Sequence, residues 1–292
     1  MANGLLVLNP ESRCSLWSFL SGSAVCAVPL VSGLSSDLSV LWKDYWKQII
    51  VCYGVVQNAS LFAVYCRRGK LYQVAVRAGG LGLTFGLGIL VSLSNTTFIN
   101  FGWYITMLSF FHWSEYFVTA ISNPKTLSVE SFLLNHSLEY KLAAMASWVE
   151  YWVEWYFVPG LKTFRYVSLV GLALVIGGEL MRKAGMLTAK TNFNHYVQRY
   201  KKDGHELVTR GVYNFVRHPA YVGWFYWSIG TQLVLINPLC LPGYAVASWR
   251  FFRERIQEEE IYLLNFFGED YVCYQKKTGT GLPFIHGYRG EL

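Results

Sequence analysis

Glu259 is the residue of this chain least easily explained as packing. At 100° per residue, Phe252, Ile256, Leu263, Phe266 and Phe267 fall in one arc of a helix, with Glu259 in the middle of it. Arg255 sits one turn earlier at the edge of the arc, while Arg250, Glu254, Glu258 and Ile261 lie mostly on the other side. A carboxylate centred on an apolar face must be paired or used. A structural i, i+4 Arg255–Glu259 ion pair, worth about 0.3–0.5 kcal/mol if exposed, satisfies the first condition. A ligand satisfies the second. Periodicity leaves both open.

Upstream lies a second polar block. Asn192-Phe193-Asn194-His195 and Gln198 mix amides, an aromatic and a histidine, and His205-Glu206-Leu207-Val208-Thr209-Arg210-Gly211-Val212-Tyr213 follows. Polar donors interleaved with aromatics can hold a nucleobase and a polar ligand tail. Each of these residues alone fits a lipid-headgroup contact or a loop hydrogen bond equally well. The block ends at Arg217-His218-Pro219-Ala220-Tyr221-Val222-Gly223, where basic sequence meets apolar sequence. Residues 182–217 carry eight Lys and Arg, 218–249 carry no Asp, Glu, Lys or Arg, and 250–260 are dense in both signs. Ionisable groups at a membrane boundary mark a topological anchor or a functional site. The six histidines show no HxxH or HExxH spacing and the six cysteines no CxxC, so no metal or disulfide is expected. His112 and His136, on apolar spans, read as buried and hydrogen-bonded.

The elements that must carry these residues are membrane helices. Only 15% of the chain is charged, against about 25% in a soluble domain. Uncharged runs at 14–36, 48–66 and 78–114 reach or approach the ~20 residues that a crossing helix needs, the last with room for two crossings around a turn near Asn95. The expected fold is all-α: a polytopic membrane protein of about eight transmembrane helices, at 12–35, 39–66, 71–93, 98–121, 133–158, 161–185, 219–237 and 240–265. Residues 1–125 read as scaffold, and 126–292 as the part holding the candidate chemistry in one integral unit. Glu150 and Glu154 share a face of the fifth span, which reads as solvated or at headgroup level. Pro238 and Pro242 bracket a hairpin break, and the last helix should run past Trp249 into the cytosol. Basic loops 67–70 and 183–217 placed in the cytosol satisfy the positive-inside rule, and put both termini there. The net charge of +7 sits at helix ends rather than in a stripe, so nucleic acid is not an expected partner.

Taken as an ordered series, Leu207-Val208-Thr209-x-Gly-Val-Tyr213, Arg217-His218-Pro219-x-Tyr221-x-Gly223 and Glu259-Glu260-x-x-Leu263-x-x-x-Phe267-Gly268-x-x-Tyr271-x-x-Tyr274 closely resembles the isoprenylcysteine carboxyl methyltransferase family. Asn192–His195 and Gly281-Leu282-Pro283-Phe284-Ile285 are similar to its eukaryotic members. The resemblance covers about 180–292. It implies S-adenosylmethionine as cofactor, prenylated CaaX-derived protein C-termini as substrate, and a multi-pass protein in the lipid bilayer of the endoplasmic reticulum with a cytosol-facing site. Carried over by position, Gln198, His205, Leu207, Val208, Gly211, Tyr213, His218, Pro219, Tyr221 and Glu259 would line the cofactor pocket. Arg255, with Arg182 second, would hold the substrate carboxylate beside Trp224, and Glu259 would face the sulfonium or the cofactor's amino group. A carboxylate is already ionised at neutral pH, so the transfer needs alignment and exclusion of water rather than a base.

Three rivals stand beside this reading. A phospholipid N-methyltransferase would want an acid-rich site, and a membrane sterol reductase further basic residues for an NADPH phosphate. A transporter would show repeated broken helices near the midplane.

Overall fold

The computed structural model describes residues 8–94, 96–135 and 137–288; Asn95 and His136 lie outside them. Among the described residues the α-helices are α1 (Pro10–Ser23), α2 (Val28–Ser32), α3 (Ser36–Tyr65), α4 (Lys70–Leu93), α5 (Ile99–Ser122), α6 (Leu138–Phe157), α7 (Arg165–Ala189), α8 (Pro219–Leu235), α9 (Cys240–Phe267) and α10 (Glu269–Lys277). The chain divides into two compact units. One holds the residues up to Ile121 with 127–135, the other Ser122–Thr126 with the residues from Ser137 onward.

In the first unit, Pro10–Ser32, Ser36–Tyr65 and Lys70–Leu93 are long and apolar enough to cross a membrane. The single helix expected over 12–35 is broken. A 3₁₀ turn at Ala24–Ala27 separates α1 from α2, where Pro29 lacks an N–H and its ring would clash with the carbonyl four residues back. α3 is also interrupted, at Tyr45 (φ −125°, ψ 18°), so the charged stretch Lys43–Lys47 is offset from the uncharged 48–65. α1 and α4 meet backbone to backbone. A Cβ at Gly82 would lie 2.1 Å from the Phe19 carbonyl oxygen, and one at Gly22 would lie 2.3 Å from that of Gly79. Lipid gives helices no hydrophobic reason to associate, so small residues that permit such close approach do the work. Phe19 stacks on Trp113 of α5 at 4.1 Å. His112 is buried and its Nδ1 lies 2.9 Å from the Phe132 carbonyl oxygen.

In the second unit the frame is the α7–α8 pair. Glycines at intervals of seven, Gly171 and Gly178 on α7 and Gly223 and Gly230 on α8, bring the two backbones together: a Cβ at Gly223 would lie 2.4 Å from the Gly178 carbonyl oxygen and 2.6 Å from the Arg182 nitrogen. That contact places Arg182 beside the start of α8. α6 and α7 begin later than expected. A left-handed Leu133 ends the turn Val129–Phe132, and α6 starts only at the Ser137 cap, whose hydroxyl accepts from the Tyr140 N–H at 3.2 Å. A 3₁₀ turn, Pro159–Thr163, precedes α7.

The expected solvated face of α6 is corrected. Glu150 is buried and accepts from the Leu239 and Cys240 N–H groups at 2.6 and 2.7 Å, satisfying the start of α9. Glu154 pairs with Lys162 at 2.6 Å. The carboxylates share a face, as i, i+4 spacing requires, but that face turns to protein. Pro219 occupies the first turn of α8, where its missing N–H costs nothing, and α8 ends in a left-handed Ile236 (φ 54°) before the short turn to α9.

Candidate active site

Three segments of the second unit enclose a cavity: the loop 189–213, the start of α8, and the C-terminal half of α9 with α10. Nine of the ten expected cofactor residues line it, namely Gln198, His205, Leu207, Val208, Tyr213, His218, Pro219, Tyr221 and Glu259. Gly211 does not. It turns the chain with φ 61° and faces Thr188, 3.1 Å from where a Cβ would be, so its role is conformational. Arg182, Trp224 and Arg255 stand behind the wall. The Arg182 guanidinium lies over the Trp224 ring at 4.7 Å, and its Nη1 donates to the Ala220 carbonyl at 3.2 Å.

The loop is tied down by its own polar groups. Asn192 Oδ1 accepts from the Glu206 N–H at 3.0 Å, and Asn123 Nδ2 donates to the Phe193 carbonyl at 2.9 Å. Lys201 donates to the Phe266 carbonyl at 2.8 Å and its ammonium lies 4.7 Å from the centre of the Phe267 ring. His205 lies edge-on to Phe266 and Phe267 at 5.6 and 5.4 Å. Burial, and then the charges of Lys201 and Lys202, lower its pKa, so its ring faces the cavity neutral. Burial, reinforced by the Glu259 charge, raises the Tyr213 pKa, which keeps that phenol a donor.

Arg255 and Glu259 do come together, but not as the direct pair the periodicity allows. Among the described residues, Tyr221 stands between them. Its hydroxyl accepts from Arg255 Nε at 2.9 Å and donates to Glu259 Oε2. Arg255 Nη2 donates to the His195 carbonyl, tying α9 to the loop. Among the described residues neither Arg255 Nη1 nor Glu259 Oε1 makes a hydrogen bond. The arrangement is a row of aligned dipoles, cation to phenol to carboxylate, along the cavity's edge.

Glu260 is the residue whose importance the helical wheel hides. It falls at the far edge of the apolar arc, yet it is fully buried. Its Oε1 accepts from Arg217 Nε (2.8 Å), His218 Nε2 (3.0 Å) and the Tyr271 hydroxyl (3.0 Å), and its Oε2 from Gln275 Nε2 (3.0 Å) and the Tyr288 N–H (2.8 Å). Arg217, also missed, binds the Thr278 and His286 carbonyls and so fastens the C-terminal segment. Leu282 and Ile285 of that segment are buried against Val222, Phe252 and Ile256. Burial pushes the Tyr274 phenol up to about 12; it donates to the Tyr213 carbonyl and closes α10 onto the loop. The pairing of Glu259 with Glu260 in the sequence was the available signal. Adjacent glutamates lie 100° apart, so two neighbouring faces needed a carboxylate.

The wall combines aromatic surface, a carboxylate and polar donors, which together can hold a ligand with a flat ring and a positive charge. Among the described residues no cluster of His, Cys, Asp and Glu is placed to hold a metal ion.

Comparison with known proteins agrees on one family. Residues 170–265 match the model of the isoprenylcysteine carboxyl methyltransferase family. A protein-S-isoprenylcysteine O-methyltransferase of Xenopus laevis is 52% identical, covering 96% of this chain and 97% of its own. Its Homo sapiens counterpart is 51% identical over 97% and 96%, and that of Saccharomyces cerevisiae 42% identical over 75% and 94%. A solved structure of the eukaryotic intramembrane Ras methyltransferase of this family, obtained without a monobody, superposes with a TM-score of 0.87 at 44% identity, covering 97% of this chain and all of that one.

Proposed function

The chain belongs to the isoprenylcysteine carboxyl methyltransferase family, and on that premise we infer that it methylates the C-terminal carboxylate of S-prenylated cysteine at the cavity described above. The methyl donor is S-adenosylmethionine, which supplies an electrophilic methyl group on a sulfonium. The observation that carries this assignment is the Arg255–Tyr221–Glu259 row. It sets a cation for a carboxylate, just behind the cavity wall, beside a carboxylate for a cation on that wall, as transfer between an anionic acceptor and a sulfonium requires.

Each residue's part follows from its free valences. Nε of Arg255 is committed to Tyr221, and Nη2 has spent one N–H on His195, so the Nη1–Nη2 edge is left to grip a carboxylate bidentately. Glu259 keeps Oε1 for positive charge. Neutral His205, Leu207, Val208, Tyr213, Phe266 and Phe267 supply a partly aromatic surface for a nucleobase. No side chain has to take a proton, because the acceptor is ionised before it binds. Arg182, buried behind the wall with its guanidinium over the Trp224 ring, would support the substrate side of the site from beneath.

Loops 67–70 and 183–217 lie on the cytosolic side of the endoplasmic reticulum membrane, with both termini, where a soluble cofactor can enter. The named relatives are all O-methyltransferases, and nothing favours phospholipid N-methylation or sterol reduction. Purified protein given labelled S-adenosylmethionine should label N-acetyl-S-farnesylcysteine, and neither its methyl ester nor N-acetylcysteine. Equal labelling of phosphatidylethanolamine would defeat the reading.

A further inference from the structure

His218 is only 5% exposed, yet it is one of the residues lining the cavity. Its ring lies parallel to that of Tyr221, with centroids 5.5 Å apart and planes 7° apart, so it cannot turn without displacing the phenol that links Arg255 to Glu259. Its Nε2 is 3.0 Å from Glu260 Oε1. An ionised carboxylate accepts hydrogen bonds and cannot donate them. Beside the Arg217 guanidinium at 2.8 Å, Glu260 has no proton to offer the ring. The ring nitrogen facing Glu260 therefore carries a proton, and in the neutral imidazole this leaves Nδ1 as the acceptor. Nδ1 makes no hydrogen bond among the described residues, and His218 lines the cavity, where a bound molecule can reach that nitrogen.

We propose that Glu260 is a positioning residue for the cofactor site: it fixes His218 as the Nε2–H tautomer, so that Nδ1 stands as a bare hydrogen-bond acceptor for an N–H or O–H group of the bound methyl donor. The inference rests on the S-adenosylmethionine reading above. Glu260 touches no ligand itself. Its other four donors come from Arg217, α10 and the Tyr288 N–H, so the C-terminal segment and the tautomer are set by one carboxylate. The same logic orients metal-bound and catalytic histidines elsewhere, where the bond made by one ring nitrogen decides what the other can do.

The tautomer can be read without any cofactor. In detergent-solubilised protein labelled with ¹⁵N-histidine, with the signal assigned by its loss in His218→Gln, the His218 ring should show a protonated Nε2 and an unprotonated Nδ1 at neutral pH. A proton on Nδ1 overturns the proposal. Addition of S-adenosylhomocysteine should move the Nδ1 resonance, and no movement rejects the acceptor role. His218→Gln puts an amide N–H where Nε2 was and nothing where Nδ1 was. It should keep the melting temperature and weaken S-adenosylhomocysteine binding about tenfold, the worth of one buried hydrogen bond. Unchanged affinity means a structural role only. Glu260→Gln can present either an oxygen or an N–H to the ring, and a Nδ1–H population should appear. If the wild-type protein binds no S-adenosylhomocysteine, the cofactor reading falls and the acceptor role with it, while the tautomer assignment still stands or falls on the nitrogen spectrum.

Discussion

Two polar clusters in the second unit, one buried and one half-buried, are made of the same materials and differ in what they leave open. At the α8–α9 turn, Lys162 Nζ reaches Glu154 Oε2, the carbonyls of Leu235 and Ile236, and Asn237 Oδ1, all within 2.6–3.2 Å. Asn237 Nδ2 continues to the Ser147 carbonyl at 2.9 Å, and Glu150 caps α9. Every proton of the ammonium has an acceptor, so the cluster is closed. At the far end of α9, Arg255, Tyr221 and Glu259 are also linked, but Arg255 Nη1, Glu259 Oε1 and His218 Nδ1 have no partner among the described residues, and Glu259 and His218 lie on a cavity wall. A linked cluster of charges is therefore a poor marker of function in itself. What separates a staple from a site is the valence left over after the protein's own bonds are counted.

The largest effect expected is on the closed side. Lys162→Met keeps the length of the side chain and removes the charge, leaving Glu154 and three uncharged acceptors without their donor. Breaking a buried pair in this way costs about 3–5 kcal/mol. The melting temperature in detergent should drop steeply, while activity per folded molecule holds. A loss of specific activity at constant stability would show that this cluster is not a staple.

On the open side the pattern should invert. Arg255→Lys replaces a planar fork with a point charge, and should lower kcat/KM for prenylcysteine about 100-fold, with S-adenosylhomocysteine affinity unchanged. Glu259→Gln should instead weaken cofactor binding or turnover, because the charge facing the sulfonium is gone. Calorimetry beside kinetics separates the two. Melting temperatures within a few degrees of wild type are expected for both. Normal specific activity in both variants would remove the pair from the site.

Much of this contrast was legible in the sequence, and the exceptions have physical causes. The apolar arc of α9 singles out Glu259, and the interleaved amides and aromatics of 192–213 mark the cavity loop, because both signals are local. Glu150 and Glu154 show the opposite case: their i, i+4 spacing reveals a shared face but not what packs on it, and the partners lie 89 residues away at Leu239 and 8 away at Lys162. The Tyr221 bridge is invisible for the same reason, since a hydroxyl 34 residues from Arg255 in sequence replaces the direct pair. Glu260 hides at the edge of an arc whose far neighbour is the C-terminal segment. Pro29 breaks the helix expected over 12–35; an uncharged run reports apolarity and not the lost N–H of one residue within it.

A smaller change tests how the closed cluster is fastened. Glu150→Gln leaves one oxygen for two N–H groups and points an NH₂ at the other. The loss should be about 1–2 kcal/mol, confined to stability, with no change in KM for either substrate. A stability change no larger than that of a surface substitution would mean that water serves the start of α9 as well as the carboxylate does.

The smallest effect separates backbone strain from packing in the two clusters. Each has a non-glycine residue at positive φ beside it. Ile236, next to Lys162, sits at φ 54°, ψ 55°, and its side chain is buried, so replacing it with glycine would remove core contact together with strain. Lys190, at the end of α7 beside the cavity loop, sits at φ 50°, ψ −120°, and its side chain is exposed. That backbone conformation belongs to the first central position of a type II′ turn, which glycine occupies without penalty. A non-glycine residue there costs about 1–3 kcal/mol, while glycine loses somewhat more chain entropy on folding. Lys190→Gly should therefore stabilise the protein by about 1 kcal/mol, a rise of about 2–4 °C in melting temperature, at unchanged kcat. A fall in melting temperature would mean that the lysine's own contacts outweigh the strain. A change in KM for the cofactor with the melting temperature raised would mean that the strained turn itself sets the position of Asn192 and Phe193 on the cavity wall.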